Sequence, residues 1–245
     1  MNYAKFFIAA IAMQTVLADD STLIDRCGVS SSAHNESMVI TRDILLDDWG
    51  PCVEIFHENV KLDCQGYVLT APLGSLPWAV RILDEAHFVT VKNCKFIGNW
   101  FVGIGSQASW GLIEHNEMEI AGFGIMSSGA ENEIRHNSIF EGGWTGISIG
   151  GGNYNLVHQN SVHGKGGGIY VCSSCNEISL NKVMEIVVGN YLLDVSDSNV
   201  IFNNRANINR VAGSRILNWF EYIVEGNVAY NYGIGIDELG EELDN

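Results

Sequence analysis

Proline and charged residues are scarce in this chain. Only 3 of its 245 residues are proline and 17% are charged, whereas glycine reaches 27 and hydrophobic residues make up 47%. The shortage of charge argues against a disordered chain or a bundle of amphipathic helices. The shortage of proline suits strands whose backbone N–H groups donate to a neighbouring strand. The composition therefore favours one sizeable, strand-rich core with many turns.

Long hydrophobic runs are missing as well, apart from one at the N-terminus. Lys5 gives a short positive segment, an apolar run covers residues 6–13, and the small Ala18 precedes two aspartates. This order is typical of a secretory signal peptide, here residues 1–18. The alternative is a membrane anchor, but the run is shorter than the roughly 20 residues that a spanning helix needs. We therefore expect a secreted, extracellular protein with no membrane insertion after cleavage of the signal.

Basic residues are outnumbered by acidic ones. The chain has 13 lysines and arginines against 29 aspartates and glutamates, which gives a formal net charge of −16. No nucleic acid is expected as a partner, because phosphate contacts need clustered lysine and arginine. An acidic polysaccharide is also repelled at long range, unless bound Ca²⁺ or a local arginine reverses the field. Residues 237–245 form an acidic tail, which favours solubility.

Six cysteines fit an oxidising compartment and are all disulfide candidates: Cys27, Cys52, Cys64, Cys94, Cys172 and Cys175. Sequence alone leaves all 15 connectivities open. The last two form a Cys-x-x-Cys motif, which follows a predicted strand rather than opening a helix. We expect a structural link or free thiols there, rather than a redox site. A zinc site is less favoured still, because no second Cys-x-x-Cys or paired-histidine spacing accompanies the motif.

The chain repeats itself about every 22 residues. Four consecutive segments of this length cover 87–108, 109–130, 131–152 and 153–174, and looser copies follow. A Gly-Ile pair recurs in each segment, at 103–104, 124–125, 146–147 and 168–169. Asparagines recur in two columns, the second of which stands five positions before the first. The first column is Asn116, Asn137, Asn160, Asn181, Asn204 and Asn227, and the second is Asn132, Asn155, Asn176 and Asn199.

This period predicts a coil of two or three short strands that stacks on the next coil and pairs with it in parallel. No segment has the length or the periodicity of a crossover helix. We expect asparagine to stand at a turn with left-handed backbone angles and to bond its stacked neighbour through the side-chain amide. Glycine would let the backbone bend into the next strand. Leucine-rich repeats and β-propellers fit less well, because they need a leucine column with a helix, or longer blades.

The repeated pattern N-x-I-x-x-N-x-I followed by G-I-x-I resembles the repeats of the pectate-lyase-like superfamily. Residues 40–44, 51–55 and 60–66 are similar to the opening coils of its secreted members, so the resemblance covers roughly 38–236. We therefore predict an all-β fold, a single-stranded right-handed parallel β-helix (solenoid) with about 22 residues per coil. The domain would span 19–245, with clear repeats at 87–197 and degenerate coils at 38–86 and 198–236.

The resemblance implies a groove on the outer face of one parallel sheet, where a polysaccharide or cell-surface glycan would lie. If the Gly-Ile strands form that sheet, its outward row is Gly105, Met126, Ser148 and Tyr170, which has no carboxylate or base. Hydrolysis of a glycosidic bond needs two carboxylates at a set separation. Tyr170 and the loop residues Trp100 and Trp144 are candidates for stacking on sugar rings, with ordinary packing as the alternative.

Two groups of residues could carry chemistry. Asp194 and Asp197 form a candidate Ca²⁺ or catalytic pair, although two acids beside a turn also fit plain solvation. The second group is basic: Glu114, Arg135, His158 and Ser179 each lie two residues before a column asparagine and should stack on one outer face. His115 and His136 lie one residue before it.

A lyase needs a base and a cation to neutralise the uronate carboxylate, and Arg135, His136 and His158 are the candidates for these roles. The alternative for this group is a surface ion pair between Glu114 and Arg135 in adjacent coils, which contributes little energy. The Asp-Pro-His-Asp motif of alginate epimerases is absent from the sequence.

Three functions remain open: a secreted protein that binds glycan or takes a surface role, a polysaccharide-processing enzyme of lyase or epimerase type, and a purely structural scaffold. The first is favoured because the repeat is regular and no active site can be defended. We expect no required cofactor, with Ca²⁺ as the metal that a lyase-like site would use. We also expect a monomer.

Overall fold

The computed structural model of the protein describes residues 21–47, 49–74, 77–140, 143–164 and 166–184, together with shorter segments: 192–194, 199–202, 204–208, 216–218, 224–225, 228–231, 235–236 and 242–243. The predicted signal peptide and most of the acidic tail lie outside these residues. Every regular element in the described residues is a β-strand. A search of the same residues for a helix with the length and apolar character of a membrane span finds none.

The strands are short, two to five residues each. The first ten are β1 (Ser21–Ile24), β2 (Val29–Ser30), β3 (Ser37–Ile40), β4 (Ile44–Leu45), β5 (Val53–Ile55), β6 (Lys61–Asp63), β7 (Val68–Ala71), β8 (Trp78–Ile82), β9 (Thr90–Lys92) and β10 (Lys95–Gly98). The next ten are β11 (Val102–Ser106), β12 (Leu112–Glu114), β13 (Glu117–Ile120), β14 (Phe123–Ser127), β15 (Glu133–Arg135), β16 (Ser138–Phe140), β17 (Thr145–Ile149), β18 (Leu156–His158), β19 (Ser161–His163) and β20 (Gly167–Val171). The last ten are β21 (Glu177–Ser179), β22 (Lys182–Met184), β23 (Leu192–Asp194), β24 (Val200–Phe202), β25 (Arg205–Ile208), β26 (Ile216–Asn218), β27 (Val224–Glu225), β28 (Val228–Asn231), β29 (Gly235–Ile236) and β30 (Glu242–Leu243).

Equivalent strands of successive coils pair in parallel and build three long sheets. Among the described residues, sheet A has ten strands in the order β1-β3-β6-β9-β12-β15-β18-β21-β24-β27. Sheet B has nine, β2-β5-β8-β11-β14-β17-β20-β23-β26, and sheet C has nine, β4-β7-β10-β13-β16-β19-β22-β25-β28. Each coil therefore supplies three strands, where the sequence left two or three open, and the predicted parallel solenoid is confirmed. Near the C-terminus, β29 and β30 pair antiparallel.

The core lies between the three sheets and is made of inward columns of aliphatic side chains. In sheet A the column is Leu62, Val91, Ile113, Ile134, Val157 and Ile178, all at most 2% exposed. The alternation along β13, in which every second residue is buried, is the pattern of a strand with one buried face. Burial of each such side chain stabilises the fold by about 1.5–3 kcal/mol.

The recurring glycine lies inside its strand and is needed for close packing. Gly146 is the second residue of β17, and a Cβ added there would overlap Val162 Cγ1 of sheet C. At Gly103 a Cβ would lie 2.9 Å from Met118 Sδ. Neither glycine has a positive φ. The prediction that this glycine bends the chain ahead of the strand is therefore wrong: it recurs because sheet C side chains touch the backbone of sheet B at this point.

The asparagine columns form two buried ladders. In the first ladder, Asn116, Asn137, Asn160 and Asn181 each donate Nδ2–H to the Oδ1 of the next member at 3.0–3.1 Å. The same Oδ1 also accepts the backbone N–H of the preceding asparagine. In the second ladder, Asn155 donates to Asn176, and Asn176 donates to Asn199. The predicted stacking through side-chain amides is confirmed for the described members, while Asn227 lies outside the described residues.

Left-handed backbone angles belong to the residue before the ladder asparagine wherever that residue is described, from Asn116 to Asn181. Four residues before the first ladder have φ between 53° and 56°: His115, His136, Gln159 and Leu180. Four others precede the corresponding positions of the second ladder, with φ between 56° and 63°: Trp110, Glu131, Tyr154 and Cys175. The prediction that asparagine itself is left-handed is wrong, because its side chain turns inward to bond the coil backbone. The residue in front of it takes the turn.

Two disulfides join coils at the N-terminal end of the solenoid. Cys27 pairs with Cys52, and Cys64 pairs with Cys94. The backbone N–H of Cys94 donates to Asn116 Oδ1 at 3.0 Å, so this cysteine stands where the first ladder begins. Cys172 and Cys175 are free thiols. The two alternatives for the Cys-x-x-Cys motif were a structural link and free thiols, and the structure has the second.

Candidate functional site

The outward row of sheet A brings the predicted basic group together. The register aligns Glu114 with Arg135, Arg135 with His158, and His158 with Ser179. Ring contacts add the left-handed corner residues, with His115 stacked on His136 at 5.0 Å and His136 at 6.1 Å from His158. The predicted candidates Arg135, His136 and His158 therefore lie side by side on one outward face, which is exposed at His136 and mostly covered at His158.

Arg135 is held between two carboxylates. Its Nη2 lies 2.8 Å from Glu114 Oε2, and its Nη1 lies 2.8 Å from Glu133 Oε1. Burial alone would lower the pKa of Arg135, but hydrogen bonds and charge from the two carboxylates outweigh burial and raise it. Glu133 Oε1 also lies 3.0 Å from His158 Nε2. The guanidinium donors are therefore directed at protein carboxylates rather than at open solvent.

His136 is the residue of this group with the character of a base. Its pKa is lowered by burial and then by electrostatic interaction with His115, Arg135 and His158. The imidazole is therefore neutral at neutral pH and can accept a proton. Apart from the histidines, Glu114, Glu133 and Arg135 give this face an excess of one negative charge. Such a face does not attract a polyuronate.

The outward row of sheet B follows the predicted register. Gly105 aligns with Met126, Met126 with Ser148, and Ser148 with Tyr170. The pKa of Tyr170 is raised by partial burial and by the neighbouring Cys172, to which it is hydrogen bonded. The hydroxyl therefore stays protonated and remains a hydrogen-bond donor well above neutral pH.

The same row continues toward the N-terminus with residues that sequence reasoning missed. Arg81 aligns with Gly105 and bonds Glu54 through Nη1 at 3.2 Å. The Trp78 ring covers Gly105 and lies 5.8 Å from the Arg81 guanidinium. These early coils are longer than 22 residues, since Glu54 pairs with a residue 27 positions later. The repeat spacing could therefore not place Trp78 and Arg81. The alternation of buried and outward residues in the Gly-Ile strands, followed back by one coil from Gly105, could have suggested Arg81.

The two predicted loop tryptophans have opposite environments. Trp100 is 0% exposed, and its Nε1–H donates to the Leu69 carbonyl at 3.2 Å. Its assignment as a glycan contact is therefore wrong, because the ring is inside the core and its polar atom is satisfied there. Trp144 is 57% exposed. Its ring meets Phe101 at 5.5 Å and Phe123 at 5.1 Å, both edge to face.

Trp144 belongs to a larger aromatic edge, which we call the C–B corner. This corner comprises the turns that lead from sheet C to sheet B in successive coils together with the first residue of β14, and its large apolar side chains outside the core are Trp49, Leu73, Phe101, Phe123 and Trp144. Trp49 and Leu73 are 79% and 95% exposed. Successive coils lie about 4.8 Å apart, and the contacting rings of Phe101, Phe123 and Trp144 form a ridge over three of them. The spacing of the repeats did not predict this ridge, because these turns differ in length from coil to coil.

The predicted metal pair is not supported by a site that can be described. Asp194 ends β23, where only the backbone is described, and Asp197 lies outside the described residues. In the part of the chain that the structure describes, no group of three or more histidine, cysteine, aspartate or glutamate side chains is arranged to hold a metal ion.

Comparisons with known proteins agree with this architecture. Residues 78–229, well over half of the chain, match the family described as the right handed beta helix region. No curated protein and no solved structure matches the chain significantly. With the three parallel sheets and the stacked asparagine ladders, this match gives the solenoid its hand, and the chain belongs to the right-handed β-helix family.

Proposed function

We propose that this protein is an extracellular, non-catalytic β-helix protein that binds a neutral glycan chain along the C–B corner. The observation that carries the proposal is Trp144, whose half-exposed ring is fixed edge-on by Phe101 and Phe123. A large, rigid ring that already faces water loses little conformational freedom when a sugar face stacks on it. The ridge is elongated along the solenoid axis, which suits a chain of sugars rather than a single one.

The charge of the protein supports a neutral glycan. A net charge of −16 repels uronate and sulfate groups at long range. Three cations of the two outward rows could oppose this repulsion, Lys92, Arg135 and Arg81, and all three are already paired with carboxylates. The two disulfides fit an extracellular location, because such bonds persist in oxidising compartments. The resemblance to secreted pectate-lyase-like proteins points the same way.

The proposal is tested by affinity electrophoresis of the purified protein in gels that contain neutral or acidic soluble polysaccharides. We expect at least one neutral polysaccharide to retard the protein, and Trp144→Ala to weaken that retardation about tenfold, since stacked aromatic contacts contribute on the order of 1 kcal/mol or more. Tyr154→Asn is the matched control, because Tyr154 is 61% exposed but lies on a different corner. Equal binding by wild type and Trp144→Ala, or retardation by acidic polysaccharides alone, would contradict the proposal.

One observation favours a second candidate, a polyuronate lyase. The lowered pKa of His136 leaves a neutral base beside the Arg135 cation, and Arg135 would have to exchange Glu114 or Glu133 for a substrate carboxylate before the two could act in proton abstraction. Incubation with polyuronates, with and without Ca²⁺, should then produce unsaturated products that absorb in the ultraviolet. His136→Gln should abolish that signal without unfolding the protein, because Gln159 already occupies the equivalent left-handed position. No signal from the wild type on any polyuronate would exclude this candidate.

A further inference from the structure

A second corner of the solenoid carries aromatic rings around an acid. We call it the B–A corner, and it comprises the turns that lead from sheet B to sheet A. The left-handed residue of each turn stands at the outer edge, and consecutive coils place Phe88, Trp110, Glu131 and Tyr154 in one column. The backbone N–H of Trp110 donates to the Ala130 carbonyl, and that of Glu131 to the Asn153 carbonyl, so the turns stack in register.

The ring of Trp110 faces along this column. Phe88, one coil before it, stacks on Trp110 with a centroid distance of 5.2 Å and an interplanar angle of 15°. Because this distance equals about one coil spacing, both ring planes lie across the solenoid axis. One face of Trp110 is therefore covered by Phe88, and the other is directed at the coil of Glu131. His87 packs edge-on at 5.1 Å and further fixes the indole.

Glu131 and Tyr154 complete the feature with side chains that face solvent. Among the described residues, the Glu131 carboxylate has no hydrogen-bond or ion-pair partner, and the Tyr154 ring has no ring contact. Glu131 is exposed, as are Trp110 at 44% and Tyr154 at 61%. Tyr154 stands two coils after Trp110, about 10 Å along the axis. Glu131 stands in the coil between the two aromatic residues.

We propose that Trp110, Glu131 and Tyr154 form a binding site for a quaternary ammonium group. A cation in the layer of Glu131, on the outer side of its side chain, would lie about 5 Å along the axis from each aromatic position, and cation–π attraction acts within roughly 6 Å of a ring. Glu131 supplies the opposite charge, and the net charge of −16 attracts cations from a distance. A methylated nitrogen fits better than a primary ammonium, because the latter is strongly hydrated and the site offers it a single acceptor group.

The first experiment uses tetramethylammonium as the probe and follows its methyl resonance by NMR during titration of the full protein. We expect a saturable upfield shift caused by the aromatic rings. The neutral analogue 3,3-dimethylbutan-1-ol has the same shape as choline without the charge, and it should bind at least threefold more weakly than choline. Equal binding of choline and the neutral analogue, or no saturable shift with tetramethylammonium, would overturn the proposal.

Substitutions locate the site. Glu131→Gln should weaken tetramethylammonium binding about threefold to tenfold. Glu119→Gln is the matched control, because Glu119 is an exposed acid on sheet C and its loss changes the net charge by the same amount. Trp110→Asn and Tyr154→Asn should each remove most of the binding, and both should fold because Asn59 already occupies this left-handed column. If Glu119→Gln weakens binding as much as Glu131→Gln, only the overall charge is responsible and the proposal is wrong.

Two sources could supply the group, a soluble choline-like molecule or a choline lipid headgroup. Binding of free choline without retention on phosphatidylcholine vesicles supports a soluble ligand, and retention on vesicles that Glu131→Gln removes supports a headgroup. Binding of neither contradicts the proposal. Failure of this site leaves glycan binding intact, because Trp144 lies on the other corner.

Discussion

At the scale of single residues, the buried asparagines supply hydrogen bonds that no apolar residue could supply. Asn137 is 1% exposed, and it bonds two other asparagines and the Ile113 carbonyl. Coil turns leave backbone groups that no strand satisfies, and a buried unsatisfied group costs about 1–3 kcal/mol. The side-chain amide supplies both a donor and an acceptor at one position, so each ladder member satisfies groups of the coils on both sides.

Asn137→Ala should therefore destabilise the protein by about 3–5 kcal/mol, since it leaves the Ile113 carbonyl, the Asn116 backbone N–H and one Asn160 oxygen contact without their partner. Urea unfolding followed by circular dichroism measures the loss. Asn153→Ala is the control: Asn153 is exposed and accepts one bond, from the Ser174 N–H, so its loss should cost less than about 1 kcal/mol. Similar losses in the two variants would mean that burial of the amide is not what matters.

At the scale of strands and turns, the outside of the solenoid is determined by its corners. The left-handed residue before each ladder asparagine holds its side chain at the outer edge of the coil, as the stacked rings of His115 and His136 show. These positions cost conformational energy for a non-glycine residue, about 1–2 kcal/mol each. The hydrogen bonds of the neighbouring ladder asparagine compensate for this cost. The corner position itself can therefore carry side chains of different chemistry, such as His115, Gln159 and Leu180.

Packing between strands gives a prediction at this scale. Gly146→Ala places a methyl group against Val162 Cγ1 and within 3.0 Å of the Gly168 carbonyl, so it should destabilise by about 1–3 kcal/mol. Adding Val162→Ala removes one of the two clashes, and the double variant should lose less stability than the sum of the single variants. Gly150→Ala is the control, since nothing lies within 4 Å of its added Cβ. Strict additivity in a urea-unfolding series would show that the two sheets do not meet at this glycine.

The sequence predicted the repeated columns correctly, because a solenoid repeats the same local demands in every coil. The inward aliphatic column, the asparagine ladders and the Glu114–Arg135–His158 row all followed from spacing alone. Features outside the period could not be predicted. Trp100 belongs to a turn in the sequence, yet its ring is buried in the core. Its Nε1–H donates to the Leu69 carbonyl there at 3.2 Å, and that contact cannot be read from the spacing. The exposed state of Trp144 depends on Phe101 and Phe123 in other coils.

At the scale of the whole molecule, the N-terminal coils are covalently joined and the later coils are not. Both disulfides lie before residue 95, whereas Cys172 and Cys175 are free. In a solenoid each coil contacts only its neighbours, so stability is distributed along the axis rather than shared by one centre. The two candidate binding corners cross the middle of this axis, at Trp144 and Trp110. They therefore depend on local ladders as much as on the cross-linked end.

The Cys64–Cys94 bond closes a sequence separation of 30 residues. Its removal by Cys64→Ala with Cys94→Ala should lower stability by about 2–4 kcal/mol, because the unfolded chain regains loop freedom. Hydrogen exchange should then accelerate first around residues 61–98 rather than in the later coils. Cys172→Ser with Cys175→Ser is the control, since these thiols are not bonded. An equal loss in the control pair would show that the stabilisation does not come from the cross-link.

The asparagine ladder also has a direction. In the first ladder, one Nδ2–H of each amide donates to the Oδ1 of the next coil, so the amides from Asn116 to Asn204 form a one-way chain. Turning one amide by half a rotation would set donor against donor on one side and acceptor against acceptor on the other. The orientation of each amide is therefore fixed by its neighbours, and aligned bonds polarise one another. The two ends of the solenoid are thus electrically distinct, and a coil copied into the ladder must carry its amide in the same sense.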